Sequence, residues 1–142
     1  MKLSLSVNWC NRRIESGEEI ADTAAALGFD ELEIGFRTTA VQVEGIRRRL
    51  DSIAVGSVHA FAPAPLSAPS AHPELYSLAS FDAECRMMAR IRILRTAEFA
   101  SGIGARTVVL HAGRISFGGI FSKLDSPALV KKLLDGGGNS VE

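Results

Sequence analysis

Two histidines stand at the ends of two strand-like runs in this sequence. Residues 54–59 read AVGSVH and residues 106–111 read RTVVLH, so His59 and His111 each close a short, apolar, β-branched segment. A neutral imidazole can ligate a metal, bind a hydroxyl group or transfer a proton. Strands that alternate with helices predict a parallel sheet, whose ligand sites lie at the carboxyl ends of its strands. The sequence therefore places both histidines where chemistry is expected.

The elements that must position these histidines follow a repeated β–α order. Strands are predicted over residues 3–7, 31–35, 54–59 and 106–111. Two capping-box patterns, at 16–19 and 39–42, predict helices that end at Gly28 and near Ser52. Further helices are predicted over 81–101, with Ser80 as the cap, and over 126–135. In the third helix, an apolar stripe at spacings of 4, 3 and 3 residues predicts a core-facing side: Met87, Ile91, Leu94 and Ala97.

Four of the five prolines fall within residues 60–80, which predicts a long loop after the third strand. The whole pattern indicates one domain over residues 1–135, followed by a Gly-rich tail at 136–142.

Alternation along the strands separates an apolar face from a polar one. Outer helices need apolar partners, so the opposite face collects four polar side chains near the strand ends: Asn8, Glu33, His59 and His111. An open sheet with helices on both faces would bury these groups at a cost. The pattern therefore favours a (β/α) barrel over a flavodoxin-like sheet. Glu33 could serve in the site or form a buried ion pair, and both interpretations stay open. Trp9 could stack on a sugar or cover the core.

Composition excludes several other classes. The chain has 142 residues, 46% hydrophobic and 23% charged, with 16 basic and 16 acidic residues, which fits a soluble globular domain and not a nucleic-acid binder. Residues 8–13, after the first strand, match neither phosphate-loop pattern. The two cysteines are too few for a disulfide scaffold, and no stretch has the length of a signal peptide or membrane span. These features predict a cytoplasmic protein.

Four segments taken in order resemble the xylose-isomerase-like TIM barrels. They are residues 1–6 (MKLSLS), 26–34 (ALGFDELEI), 57–59 (SVH) and 97–113, which end in VVLHAG. The resemblance covers roughly residues 1–114. It implies the N-terminal half of a TIM (β/α)8 barrel, with about four strands and four helices. It also implies an enzyme, a sugar or sugar-phosphate isomerase or epimerase that moves a proton next to a carbonyl with help from a divalent metal (Mn, Mg, Co or Zn).

Carried over residue by residue, the resemblance makes Glu33, His59 and His111 substrate-binding residues, and Asn8 and Trp9 join them at the same sheet edge. Two alternatives stay open. In an apurinic-endonuclease-like zinc phosphodiesterase, His59 and His111 would bind the metal, although the neutral charge argues against DNA binding. In a non-catalytic half-barrel, the chain would only dimerise or bind a small molecule. The catalytic residues themselves are not assigned, because the later strands that carry the metal ligands are missing from this sequence.

Four strands cannot close a barrel of eight. A half-barrel leaves two open sheet edges and an exposed apolar surface, which rarely persist unpaired. We therefore expect a homo-oligomer or a second half-barrel chain as partner, a small sugar-like ligand, and neither nucleic acid nor membrane.

Overall fold

A four-stranded, all-parallel sheet forms the centre of the computed structural model, which describes residues 2–62 and 75–113. The strands are β1 (Ser4–Ser6), β2 (Glu31–Ile34), β3 (Ala54–His59) and β4 (Thr107–Val109), and they lie in the order β1-β2-β3-β4. The connecting helices are α1 (Gly17–Ala26), α2 (Ala40–Arg47) and α3 (Ala83–Gly102), and a 3-10 helix covers Val7–Trp9. The predicted α/β class and parallel sheet are confirmed.

The helices begin where the capping patterns predict. Ser16 accepts a hydrogen bond from the Glu19 amide at the start of α1. At the start of α2, Thr39 and Gln42 satisfy each other's backbone amides in a complete capping box. The third helix begins two residues later than predicted, because Asp82 and not Ser80 is its cap.

Two helices end in the same way, as the similar sequences before β2 and β4 suggest. Gly28 and Gly104 adopt φ values of 84° and 80°, in the left-handed region that glycine enters without steric cost. After α1, Phe29 donates to the Ala24 carbonyl, and after α3, Ala105 donates to the Ala100 carbonyl. Each helix therefore closes in a Schellman-type turn that leads directly into a strand.

One apolar core lies on one face of the sheet. Alternate strand residues such as Leu32, Ile34 and Val58 are fully buried, and they pack with Ile20 of α1 and Ile46 of α2. The helices are joined to neighbouring strands in sequence order, and right-handed crossovers of that kind put all helices on the same side. The opposite face, which carries Glu33, Ser57 and His59, lies outside this core.

Three sequence predictions need correction. Strand β1 is shorter than residues 3–7, because Val7 turns into the 3-10 helix, and Leu3 is 50% exposed. Strand β4 ends at Val109, so His111 lies two residues beyond it. The apolar stripe of α3 does not face the core. Met87 is 53% and Leu94 64% exposed, since α3 packs through its small residues instead: Ala89, Thr96 and Ala100.

The predicted fourth helix at 126–135, most of the proline-rich segment and the tail at 136–142 lie outside the described residues. Among the helices that the structure describes, none is long and apolar enough to cross a membrane.

Candidate functional site at the carboxyl edge of the sheet

His59 is the last residue of β3 and lies between two other rings. Its ring centroid is 5.3 Å from that of Phe36, which follows β2, and 5.1 Å from that of His111, which follows β4. The side chain is partly buried. Three neighbouring strands thus bring three rings together at their carboxyl ends, which is where parallel sheets place ligands.

One nitrogen of His59 is already engaged. The Nδ1 atom lies 2.7 Å from the carbonyl oxygen of Ala60. A carbonyl oxygen can only accept, so Nδ1 carries the proton in this contact. In the neutral ring Nε2 is then the basic nitrogen, ready to accept a hydrogen bond from a hydroxyl or to bind a metal.

His111 reaches the site although it is not part of β4. Its ring meets that of His59 edge-on, at an interplanar angle of 64°. The backbone makes this possible because His59 pairs with Val109 in the sheet register, which sets the following residues beside the end of β3. The sequence predicted that the two histidines lie on the same face at the carboxyl edge, but neither their ring contact nor the early end of the strand.

Glu33 lies two register rows before His59, which is the next row on the same face of the sheet. Ser6 donates to its Oε1 at 2.9 Å, and Ser57 donates to its Oε2 at 3.3 Å. The three residues are register partners across β1, β2 and β3. Within the described part of the chain Glu33 forms no ion pair, so the buried ion pair considered from the sequence is not observed. Its carboxylate is held in place by two hydroxyl groups.

A register shift in β3 makes this row. Leu32 pairs with Val55, but Glu33 pairs with Ser57, so Gly56 has no partner on β2. The extra residue lets both Val55 and Val58 face the core, while Ser57 and His59 stay on the polar face. Strict alternation would put Val55 and Val58 on opposite faces, because they are three residues apart. Alternation therefore does not predict that both are buried, and the bulge was missed.

Asn8 and Trp9 lie in the 3-10 helix after β1. The Asn8 amide accepts from Asn11 at 3.2 Å and covers the backbone of Gly35, where a Cβ atom would stand 2.1 Å from Asn8 Oδ1. Trp9 is 41% exposed, and the guanidinium of Arg13 lies 6.0 Å from its ring centroid. Both residues are thus at the predicted edge. Trp9 does not cover the core.

Sequence reasoning missed three contributors to this edge: Ser6, Phe36 and Ser57. The serines lie on the polar face, so alternation alone could have indicated them as partners for Glu33. Phe36 follows β2 directly and gave no signal of its own, because an aromatic residue after a strand is more often part of the core.

A metal site is not formed by the side chains that the structure describes. They include no group of three or more His, Cys, Asp or Glu residues placed to hold an ion. His59 and His111 supply two imidazoles, fewer than the three protein ligands of catalytic zinc sites. Cys10 does not add a ligand or nucleophile, since burial raises the pKa of its thiol and its Sγ faces the Val7 carbonyl at 3.6 Å.

At the amino-terminal end of the sheet, opposite the histidines, Glu31 connects several strands. Its role was not predicted from the sequence. Its carboxylate Oε1 accepts from Lys2 and from Arg106, each at 2.7 Å, and these residues precede β1 and β4. The two hydrogen bonds lower the pKa of Glu31. Gly56 of β3 leaves the space that this carboxylate fills, because a Cβ atom there would lie 2.2 Å from Glu31 Oε2. One carboxylate of β2 thus links the segments that precede β1 and β4 and fills the space beside Gly56 of β3, at the end of the sheet away from the histidines.

Comparison with known proteins adds no family. No protein-family model matches the sequence, and no curated protein matches it. The geometry of the sheet edge is therefore the basis on which a function is proposed.

Proposed function

We propose that this chain is half of a (β/α) barrel and forms one side of a site for a sugar or sugar phosphate. In this proposal the site belongs to an isomerase or epimerase, which moves a proton next to a carbonyl. The observation that carries it is the placement of His59 between Phe36 and His111, with Nδ1 tied to a backbone carbonyl. A fixed imidazole with one basic nitrogen suits hydroxyl recognition and proton transfer.

The one-sided fold supports the barrel. Helices on one face and a row of polar groups on the other fit a barrel interior, where polar residues collect near the mouth. An open sheet covered on both faces would bury Glu33 and the serines that hold it.

In this proposal, the residues of this chain bind and orient the substrate. His59 accepts from a substrate hydroxyl through Nε2, and His111 lies beside it at the mouth. In the preceding row on the same face, the Glu33 carboxylate accepts hydrogen bonds from Ser6 and Ser57 and so joins β1, β2 and β3. A divalent metal, which the family resemblance implies, would polarise the substrate oxygens. The described side chains do not fit it, so no step is assigned to it.

Titration of the histidine ring signals tests this function. The 1H–13C spectrum of labelled protein is followed while D-xylose, D-fructose and D-ribose are added. We expect saturable shifts of the His59 and His111 signals. In His59→Ala the ligand-induced shift of the His111 signal should be lost. The control variant is Arg95→Gln, an exposed position on α3. Absence of any shift with every sugar would overturn the proposal and leave a non-catalytic half-barrel. Stoichiometric zinc that depends on His59 and His111 would instead favour the phosphodiesterase.

We also propose a second copy of this chain as the partner that supplies the other side. Strands β1 and β4 are the two edges of the described sheet, and apolar residues beside them are exposed, Leu3 at 50% and Leu110 at 42%. Unpaired parallel edges next to apolar surface favour association. Sedimentation equilibrium at micromolar concentration should give a dimer. A folded monomer would contradict this, and co-purification with a different chain would identify a separate half.

A further inference from the structure

The loops after β1 and β2 carry an excess of positive charge. Residues 7–16 and 35–39 contain three arginines and one carboxylate, Glu15. The whole chain is neutral, so this part of the edge is a local concentration of positive charge. Such a concentration attracts anions to the mouth of the site.

Arg37 is the arginine that the structure ties to the histidines. Its guanidinium carbon lies 5.2 Å from the centroid of Phe36, and the same ring lies 5.3 Å from His59. Phe36 therefore contacts both a cation and an imidazole. The contact with the ring restrains the guanidinium. Among the residues described, no carboxylate forms an ion pair with Arg37.

The turn that presents Arg37 also holds an unsatisfied hydroxyl. Thr38 donates its amide to the Gly35 carbonyl at 3.1 Å, which closes the turn around Phe36 and Arg37. The Thr38 side chain is 3% exposed, and its Oγ1 has no hydrogen-bond partner in the part of the chain that the structure describes. A buried hydroxyl without a partner is costly, so this turn carries a local strain beside Arg37.

We propose that Arg37 and its turn bind the phosphate of a phosphorylated sugar whose reacting end lies at His59. This inference rests on the proposed function and narrows it from sugars in general to sugar phosphates. A guanidinium suits this task because its planar array of donors matches phosphate oxygens in two parallel hydrogen bonds. Phe36 contacts both Arg37 and His59, so its ring links the two ends of this proposed site.

The test compares a sugar with its phosphate. Ribose, ribose 5-phosphate and inorganic phosphate are titrated separately into labelled protein, and dissociation constants are taken from the shifts of the His59 and Phe36 signals. Ribose 5-phosphate should bind at least about tenfold more tightly than ribose, as expected for a charge-assisted bidentate contact. Arg37→Gln should abolish that difference and leave ribose binding unchanged. Arg37→Lys should keep part of it, because an ammonium keeps the charge but not the planar array of donors.

Arg95→Gln is the matched control, because it removes one exposed arginine far along α3 from the site. The inference is overturned if ribose binds and the phosphate adds nothing, or if Arg37→Gln and Arg95→Gln weaken phosphate binding equally. The first result would leave the proposed function intact. If inorganic phosphate binds in an Arg37-dependent manner but no sugar shifts His59, the anion site stands and the isomerase proposal fails. If no ligand binds, both fail.

Discussion

The rings of His59 and His111 lie 5.1 Å apart and meet edge-on, although they belong to segments on either side of α3. The ring proton signals of His59 must therefore feel the ring current of His111, and also that of Phe36 at 5.3 Å. This relationship can be tested without knowledge of any ligand.

We predict that His111→Ala and Phe36→Leu each move the His59 Hε1 signal, while Arg95→Gln leaves it in place. The measurement is a histidine-selective 1H–13C spectrum at fixed pH, with circular dichroism as the control for folding. An unchanged His59 signal in His111→Ala would show that the two rings are not in contact in solution.

The Glu31 carboxylate should make stability depend on pH. Its hydrogen bonds from Lys2 and Arg106 lower its pKa in the folded protein relative to the unfolded chain, where a glutamate titrates near about 4.3. Stabilisation by Glu31 is then fully present above about pH 4.3 and is lost as the pH falls through the lower folded value. Glu31→Gln should lower Tm at pH 7, and the difference from the wild type should shrink in acid.

Glu18→Gln serves as the comparison for Glu31→Gln. Hydrogen bonding from Arg48 also lowers the pKa of Glu18, but this pair lies on the surface between α1 and α2. Exposed pairs contribute little and are screened by salt. The decrease in Tm caused by Glu18→Gln should therefore be smaller than that caused by Glu31→Gln, and it should vanish in high salt. An equal effect of the two variants would mean that Glu31 does not fasten the strands together.

Two glycines should respond oppositely to alanine. A Cβ atom at Gly17 would stand 1.8 Å from the carbonyl oxygen of Gln42, because α1 and α2 cross with their backbones nearly in contact. Gly17→Ala should therefore destabilise the protein by about 1–3 kcal/mol or more. Gly102, the last residue of α3, faces open space, so Gly102→Ala should be stabilising by about 0.4–1 kcal/mol.

Urea unfolding followed by circular dichroism measures both glycine variants. Equal stability of Gly17→Ala and the wild type would require the two helices to separate without cost, and would contradict the close crossing.

The sequence predicted those features that depend on neighbouring residues. Alternation predicted that Glu33 and His59 share a face, and the capping pattern at Thr39 predicted the start of α2. Features set by packing between distant segments were missed. The stripe of Met87 and Leu94 matches a core pattern, but the residues of α3 that are buried include Ala89 and Ala100 instead, and periodicity alone cannot show which side a neighbour covers.

In the candidate site, too, the sequence predicted what depends on local pattern and missed what depends on contacts between distant segments. The placement of His59 and His111 at one edge followed from alternation and the repeated β–α order, whereas Phe36 joins them through the turn after β2. A turn of this kind gives no periodic signal. Gly56, the unpaired residue of the register shift, leaves the space that the Glu31 carboxylate fills, and such a long-range fit is invisible in the pattern of a single strand.

Gln42 connects the loop after β1 to the start of α2 and should be more important than an ordinary helix cap. It is 2% exposed, and its Nε2 donates to the carbonyls of Asn11 and Ile14 at 2.9 and 2.7 Å. Its Oε1 accepts from the Thr39 amide. Because Asn11 in turn holds Asn8, this side chain supports the β1 end of the candidate site.

Gln42→Glu keeps the capping oxygen, removes the two donated hydrogen bonds and places a buried carboxylate against the two carbonyl oxygens. Each buried carbonyl left without a donor costs about 1–3 kcal/mol, so the variant should lose more stability than Thr39→Ala, for which about 1 kcal/mol is expected. A protonated carboxyl regains one donor, and the gap between the two variants should narrow as the pH falls. Urea unfolding at pH 7 and pH 5 measures this gap. A Gln42→Glu protein no less stable than Thr39→Ala would mean that the loop does not depend on these hydrogen bonds.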